Sequence, residues 1–86
     1  WAIGTGEAAT PDDAQNMSSH IRKTVADLYN YSDAYKVPLL YGGSVSAENV
    51  ADFVRQTDIN GALVGGASLD SKSFVDLTRI AAEVLA

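Results

Sequence analysis

The chain uses one local design twice: a short apolar run that ends in Gly-Gly and hands over to a helix-starting segment. The first copy runs Val37, Pro38, Leu39, Leu40 and Tyr41 into Gly42-Gly43-Ser44-Val45, then into Ser46, Ala47, Glu48 and Asn49. The second runs Ala62, Leu63 and Val64 into Gly65-Gly66-Ala67-Ser68, with Asp70 or Ser71 placed to cap a last helix. Leu63 lies 23 residues after Leu40, and Gly65-Gly66 lies 23 after Gly42-Gly43. Consecutive rather than alternating apolar side chains predict strands buried on both faces, as in a parallel sheet covered by helices. Parallel neighbours need a crossover, which the intervening helix provides, with the right-handed sense such units take. Pro38 cannot donate to a ladder and is expected where its strand begins.

Paired glycines at a strand end let the backbone turn sharply and come close to a ligand, because no Cβ intervenes. Amides exposed in such a turn can face an anion, and a neighbouring hydroxyl adds a donor. A lone Gly-Gly-Ser is more often a plain strand-to-helix turn. Two such turns on adjacent parallel strands come to the same side of the sheet, which carries the ligand site in open α/β sheets and barrels. The last two strand–helix loops of the (β/α)8 barrel recurrently form a phosphate site. The repeat therefore points to phosphate.

Residues before the first strand form a loop and a helix. Thr10 suits an N-cap, Pro11 the first helical position, and Asp12 and Asp13 the positive end of the dipole. Ala14, Met17, Ile21, Val25 and Leu28 recur at helical spacing and predict the core-facing stripe, with Met17 as core filling. Gln15, Asn16, Ser19, Arg22, Lys23 and Asp27 read as the polar remainder, and His20 as a solvated histidine. Turn-favouring residues at 29–33 predict that this helix fades there. Ser46 is expected to cap the next helix, with Val50, Phe53 and Val54 buried. The last helix should bury Phe74, Leu77, Ala81 and Val84, with Ile80 and Leu85 at the margins. Gly4-Thr5-Gly6-Glu7-Ala8-Ala9 matches a relaxed dinucleotide fingerprint, but Thr10-Pro11 starts the helix after the motif rather than inside it.

Composition narrows the partners. Eleven Asp+Glu against 6 Lys+Arg disfavour nucleic acid and anionic membrane surfaces, both of which reward a basic face. Cysteine is absent, so no disulfide framework or thiolate metal site is available, and a reducing, cytoplasmic setting fits. No apolar run approaches the ~20 residues of a membrane-spanning helix. The opening Trp1-Ala2-Ile3-Gly4, without a methionine, reads as a strand cut in mid-element, so residues 1–86 are expected to be part of a domain and not a complete one.

Trp1-Ala2-Ile3-Gly4-Thr5-Gly6, Tyr41-Gly42-Gly43-Ser44-Val45 and Leu63-Val64-Gly65-Gly66-Ala67-Ser68-Leu69 resemble three signature segments of the triosephosphate isomerase family, in the family's order and spacing. The resemblance spans the whole chain. It implies the C-terminal part of a (β/α)8 TIM barrel of about 250 residues: lid loop, helix 6, strand 7, helix 7, strand 8 and helix 8. It further implies that Gly4, Ser44, Gly65 and Gly66 contact substrate phosphate and that Leu63 forms apolar wall beside it. Trp1 belongs to the lid, which Tyr41 and Ser44 hold closed through its backbone, with Ala9 and Gly6 as acceptors. No metal or organic cofactor is implied.

In this family the reaction interconverts dihydroxyacetone phosphate and D-glyceraldehyde 3-phosphate, a glycolytic and gluconeogenic step, in a cytoplasmic homodimer. The catalytic base lies just upstream of the lid tryptophan, and the electrophilic histidine, substrate lysine and dimer loops belong to earlier strands. No catalytic residue is expected among these 86, and Glu7, Glu48 and His20 do not substitute. Glu7 stands where the family commonly has lysine, which bears on the lid hinge. The isolated chain is expected to be inactive. Its partners are a phosphorylated triose and the remainder of the barrel. The competing readings are a non-catalytic, self-associating fragment and a piece of another phosphate-binding barrel enzyme.

Overall fold

The computed structural model describes Thr5 and residues 7–85. Its first helix, α1 (Pro11–Leu28), starts as its sequence dictates. Thr10 Oγ1 accepts the Asp13 N–H at 3.0 Å, and Asp13 Oδ2 accepts the Thr10 N–H at 3.3 Å. That reciprocal capping box contributes about 1 kcal/mol relative to an alanine cap. α1 ends at Leu28, at the edge of the 29–33 region where its sequence predicts that it fades, but the chain then starts another helix that the sequence reading did not include. Asn30 Oδ1 accepts the Asp33 N–H at 2.8 Å and starts a second short helix, α2 (Tyr31–Lys36). The asparagine and aspartate that look like turn residues are the cap of a helix.

Two parallel strands come next, β1 (Leu40–Gly42) and β2 (Gly61–Leu63), with α3 (Val50–Val54) between them. Leu40 pairs with Gly61, Tyr41 with Ala62, and Gly42 with Leu63. A single 3-10 turn, Gly66–Leu69, leads into α4 (Ser71–Leu85). Asp70 caps α4, its Oδ1 accepting the Lys72 N–H at 3.2 Å and its Oδ2 the Ser73 hydroxyl at 2.9 Å.

Both strands are shorter than their apolar runs, and their burial differs from the expectation. Tyr41 and Ala62 turn toward the helices and pack against a cluster of Val45, Val50, Val54 and Leu77. Leu40 and Leu63, on the other face, are 58% and 69% exposed. The sheet is therefore covered on one face only among the described residues, although the sequence is apolar for both.

The expected stripe on α1 is corrected more sharply. Ala14 is buried and Val25 half-buried as expected, but Met17, Ile21 and Leu28 lie on the outer side, and α1 buries Arg22 and Ala26 in their place. The reason is Arg22. Its guanidinium donates to Ala34 O (2.7 Å), Val37 O (2.9 Å), Asp58 O (3.2 Å) and Asn60 Oδ1 (2.6 Å). Its Nε lies 3.1 Å from Asp58 Oδ1, an ion pair whose angle falls short of a hydrogen bond. Gln15 completes the group by donating to Asp58 Oδ2 and accepting the Asp58 N–H at 3.0 Å. The two residues assigned to a polar outer face thus make the buried joint between α1, the end of α2 and the approach to β2. Charge at such a site is tolerated because nearly every donor has a partner.

Asn60 extends this joint to the strands. Its N–H donates to Leu39 O at 2.7 Å, and its Oδ1 also accepts the Leu39 N–H at 2.9 Å. The Leu39 N–H is thus taken by a side chain rather than by the neighbouring strand's backbone, and the regular ladder starts at Leu40.

On α3, Val50, Phe53 and Val54 are buried as expected, but Ser46 is not the cap. Its carbonyl accepts the N–H groups of Asn49 (3.2 Å) and Val50 (3.0 Å), and Asn49 occupies the cap position. On α4 only Leu77 is fully buried, while Phe74 remains 41% exposed and Ile80, Ala81 and Val84 pack at the edge of the core.

Candidate functional site

The trailing ends of β1 and β2 bring most of the expected site residues to one end of the sheet. The first turn is built around Tyr41. Its ring stacks on Phe53 with centroids 4.1 Å apart and planes 6° from parallel, and its far end lies over Gly43. A Cβ on Gly43 would come within 2.8 Å of Tyr41 Cζ, so only glycine fits beneath this ring. The phenol continues across to the segment before α1, where Ala9 donates its N–H to Tyr41 Oη at 3.1 Å. The expected polarity at Ala9 is reversed: its amide gives the hydrogen bond and the tyrosine oxygen accepts.

Beyond the ring, the Val45 N–H returns to Gly43 O at 3.0 Å, closing a tight turn centred on Ser44. Ser44 O accepts Asn49 Nδ2 at 2.8 Å, and Asn49 Oδ1 accepts the Ser46 N–H at 2.8 Å. Val45 is buried beneath in the core. Ser44 is therefore held from both of its peptide groups and from below.

The second turn is made differently. Gly65 O accepts the Ser68 N–H at 2.9 Å and the Ser68 hydroxyl at 2.6 Å. Among the described residues, no heavy atom would lie within 4 Å of a Cβ on Gly65 or Gly66. Packing among the described residues gives no reason for glycine there. Leu63, at the end of β2, is exposed on the helix-free face.

Strand pairing relates the two turns. Paired residues are 21 apart, as in Gly42 with Leu63, whereas the sequence repeat is 23. Counting two residues past the last pair sets Ser44 level with Gly65. Both turns thus follow the ladder at the same end of the sheet, with Ser44 and Gly65 each two residues beyond the last pair.

Trp1, Gly4 and Gly6 lie outside the described residues. In the segment before α1, Thr5 Oγ1 accepts the Glu7 N–H at 3.1 Å, and Glu7 itself is exposed. Residue spacing did not single out Asn49 or Phe53 for the site. The signal for Asn49 was its place three residues after Ser46, where an amide side chain can turn back on the loop. His20 is exposed, as expected. No group of three or more His, Cys, Asp or Glu able to hold a metal occurs among the described residues. No helix among them is long and apolar enough to cross a membrane.

The family profile described as triosephosphate isomerase matches residues 1–81. The chain is 52% identical over 84 residues to the triosephosphate isomerase of Dehalococcoides mccartyi, covering 98% of this chain and 34% of that protein. It is 56% identical over 79 residues to that of Endomicrobium trichonymphae (92% and 31%). Against the Thermus thermophilus protein it is 51% identical over 81 residues (94% and 32%). It spans about a third of the length of these relatives.

Proposed function

The chain belongs to the triosephosphate isomerase family, and on that premise we propose that it supplies the lid and the phosphate cradle of a (β/α)8 isomerase. The segments correspond to the lid loop, helix 6 (α1), strand 7 (β1), helix 7 (α3), strand 8 (β2) and helix 8 (α4) of such a barrel. The parent reaction interconverts dihydroxyacetone phosphate and D-glyceraldehyde 3-phosphate by proton transfer through an enediolate. Gly4, Ser44, Gly65 and Gly66 hold the phosphate, Leu63 walls the carbon chain, and Tyr41 holds the lid through Ala9. Trp1 and Gly6 belong to the moving part. The groups that move protons are assigned to residues outside these 86.

The observation that carries this reading is that both glycine turns follow the ladder at one end of the sheet, with Ser44 and Gly65 each two residues past the last pair and no described residue crowding Gly65 or Gly66. Phosphate held there anchors one end of the substrate while the closed lid keeps water from the enediolate, which would otherwise lose its phosphate. The test uses the full-length protein containing this segment. Isomerase turnover, competitively inhibited by inorganic phosphate, is expected, and Ser44→Trp should abolish the inhibition. Absent turnover, or inhibition untouched by Ser44→Trp, overturns the reading. The isolated 86-residue chain should show no turnover above the buffer rate.

A second reading concerns only the isolated chain. Leu40 and Leu63 on the uncovered face, and the open edges of a two-stranded sheet, favour pairing with further copies. Size-exclusion chromatography should find it associated; a monomer with sharp thermal unfolding would rule this out.

A further inference from the structure

We propose that Asn49 is a positioning residue for the phosphate cradle, setting the orientation of the Ser44 backbone, and that this is its reason for being asparagine. The proposal rests on the reading of the strand-end turns as a phosphate site.

Asn49 stands at the cap position of α3, where asparagine ordinarily accepts an N–H from the first turn of its own helix. It makes no such bond. Both polar atoms of its amide point backwards instead: Oδ1 to the Ser46 N–H at 2.8 Å and Nδ2 to Ser44 O at 2.8 Å. The side chain therefore spans the loop from one backbone acceptor to one backbone donor, a task that needs both halves of a primary amide.

The consequence falls on Ser44. Its carbonyl is held by Asn49, and the preceding Gly43 carbonyl is held by the Val45 N–H at 3.0 Å. In a planar trans peptide the N–H points opposite to its carbonyl. With the peptide planes on both sides of Ser44 fixed, the direction of its N–H is fixed too. A preformed donor loses less freedom on binding than one that must be ordered by the ligand. Asn49 is half-buried and sits under the loop, so it acts through the backbone and touches no ligand itself.

The test is Asn49→Ser in the full-length protein. Serine matches asparagine as a helix cap, so a merely structural cap role would be rescued. A single short hydroxyl cannot hold Ser44 O and the Ser46 N–H together. Inhibition by inorganic phosphate should weaken roughly tenfold, the equivalent of about one net hydrogen bond, with KM for triose phosphate rising more than kcat falls. The melting temperature should stay within a few degrees of wild type. Wild-type inhibition in Asn49→Ser overturns the role of Asn49 and leaves the phosphate site standing. Failure of phosphate to inhibit the unmodified protein overturns the site and this proposal together. A second measurement needs no variant: hydrogen exchange at the Ser46 amide of the wild-type protein should be slow. Exchange at the rate of an open loop amide overturns the proposal.

Discussion

At their leading ends the two strands are tied by a buried charged joint; at their trailing ends they open into glycine turns. Arg22, Asp58, Gln15 and Asn60 bind α1, α2 and both strand starts through side-chain contacts to backbone and to one another. The trailing end has one packed turn, with Tyr41 over Gly43, and one open turn at Gly65-Gly66. The difference fits the division of labour in barrel proteins, where one end of the strands carries stability and the other chemistry. It teaches that the same pair of glycines serves packing in one place and access in the other.

The largest test of that division is Asp58→Ala. Removing one partner of a buried pair leaves Arg22 uncompensated, and unfolding stability of the full-length protein should fall by about 3–5 kcal/mol in urea denaturation. The kcat of the surviving folded enzyme should stay near wild type; a loss of kcat beyond the loss of folded protein would break the comparison. Gly43→Ala should cost about 1–3 kcal/mol, because the ring it meets is pinned by Phe53 and cannot swing aside freely. An unchanged denaturation midpoint would show that Tyr41 does not sit over Gly43 in solution. Phe53→Leu removes the stacking partner and should cost about 1 kcal/mol. It should also raise KM, since the phenol that accepts the Ala9 N–H loses its support. Gly66→Ala should change stability by no more than ~0.5 kcal/mol, there being nothing among the described residues for the new methyl to strike. Its inhibition by inorganic phosphate should nevertheless weaken several-fold. If Gly66→Ala proves as destabilising as Gly43→Ala, the two turns are not different in kind.

Local signals were legible wherever the cause was local. Thr10-Pro11-Asp12-Asp13 announces α1, and Asp70 announces α4, because capping depends on residues within one turn. The glycine repeat led to both strands and to the expected site for the same reason. Arg22 was illegible as a buried residue because its acceptors lie 12 to 38 residues away. Helical spacing favoured Met17 and Ile21 over it, and an apolar stripe says nothing about which of two faces a chain of this length covers. Asn30 was legible as ending α1 but not as capping α2, since the same side chain serves turns and caps alike. At the site, residue types pointed to Tyr41, Ser44 and the glycines. What holds them in place, Phe53 and Asn49, depends on a fold that a one-dimensional pattern does not contain.

Asn60 has a consequence for how such a chain can change length. Its backbone and side chain grip Leu39 from the start of β2, so the pairing of Leu40 with Gly61 is settled before the ladder begins. Residues between Ser46 and Thr57 only have to return the chain to that grip, and insertions there leave strand alignment untouched. An extra residue between Asn60 and Ala62 has no such freedom. It would exchange the inward and outward sides of β2, turning Leu63 into the helices and Ala62 out of them. The tolerance of this family member to insertion should therefore change abruptly at one asparagine.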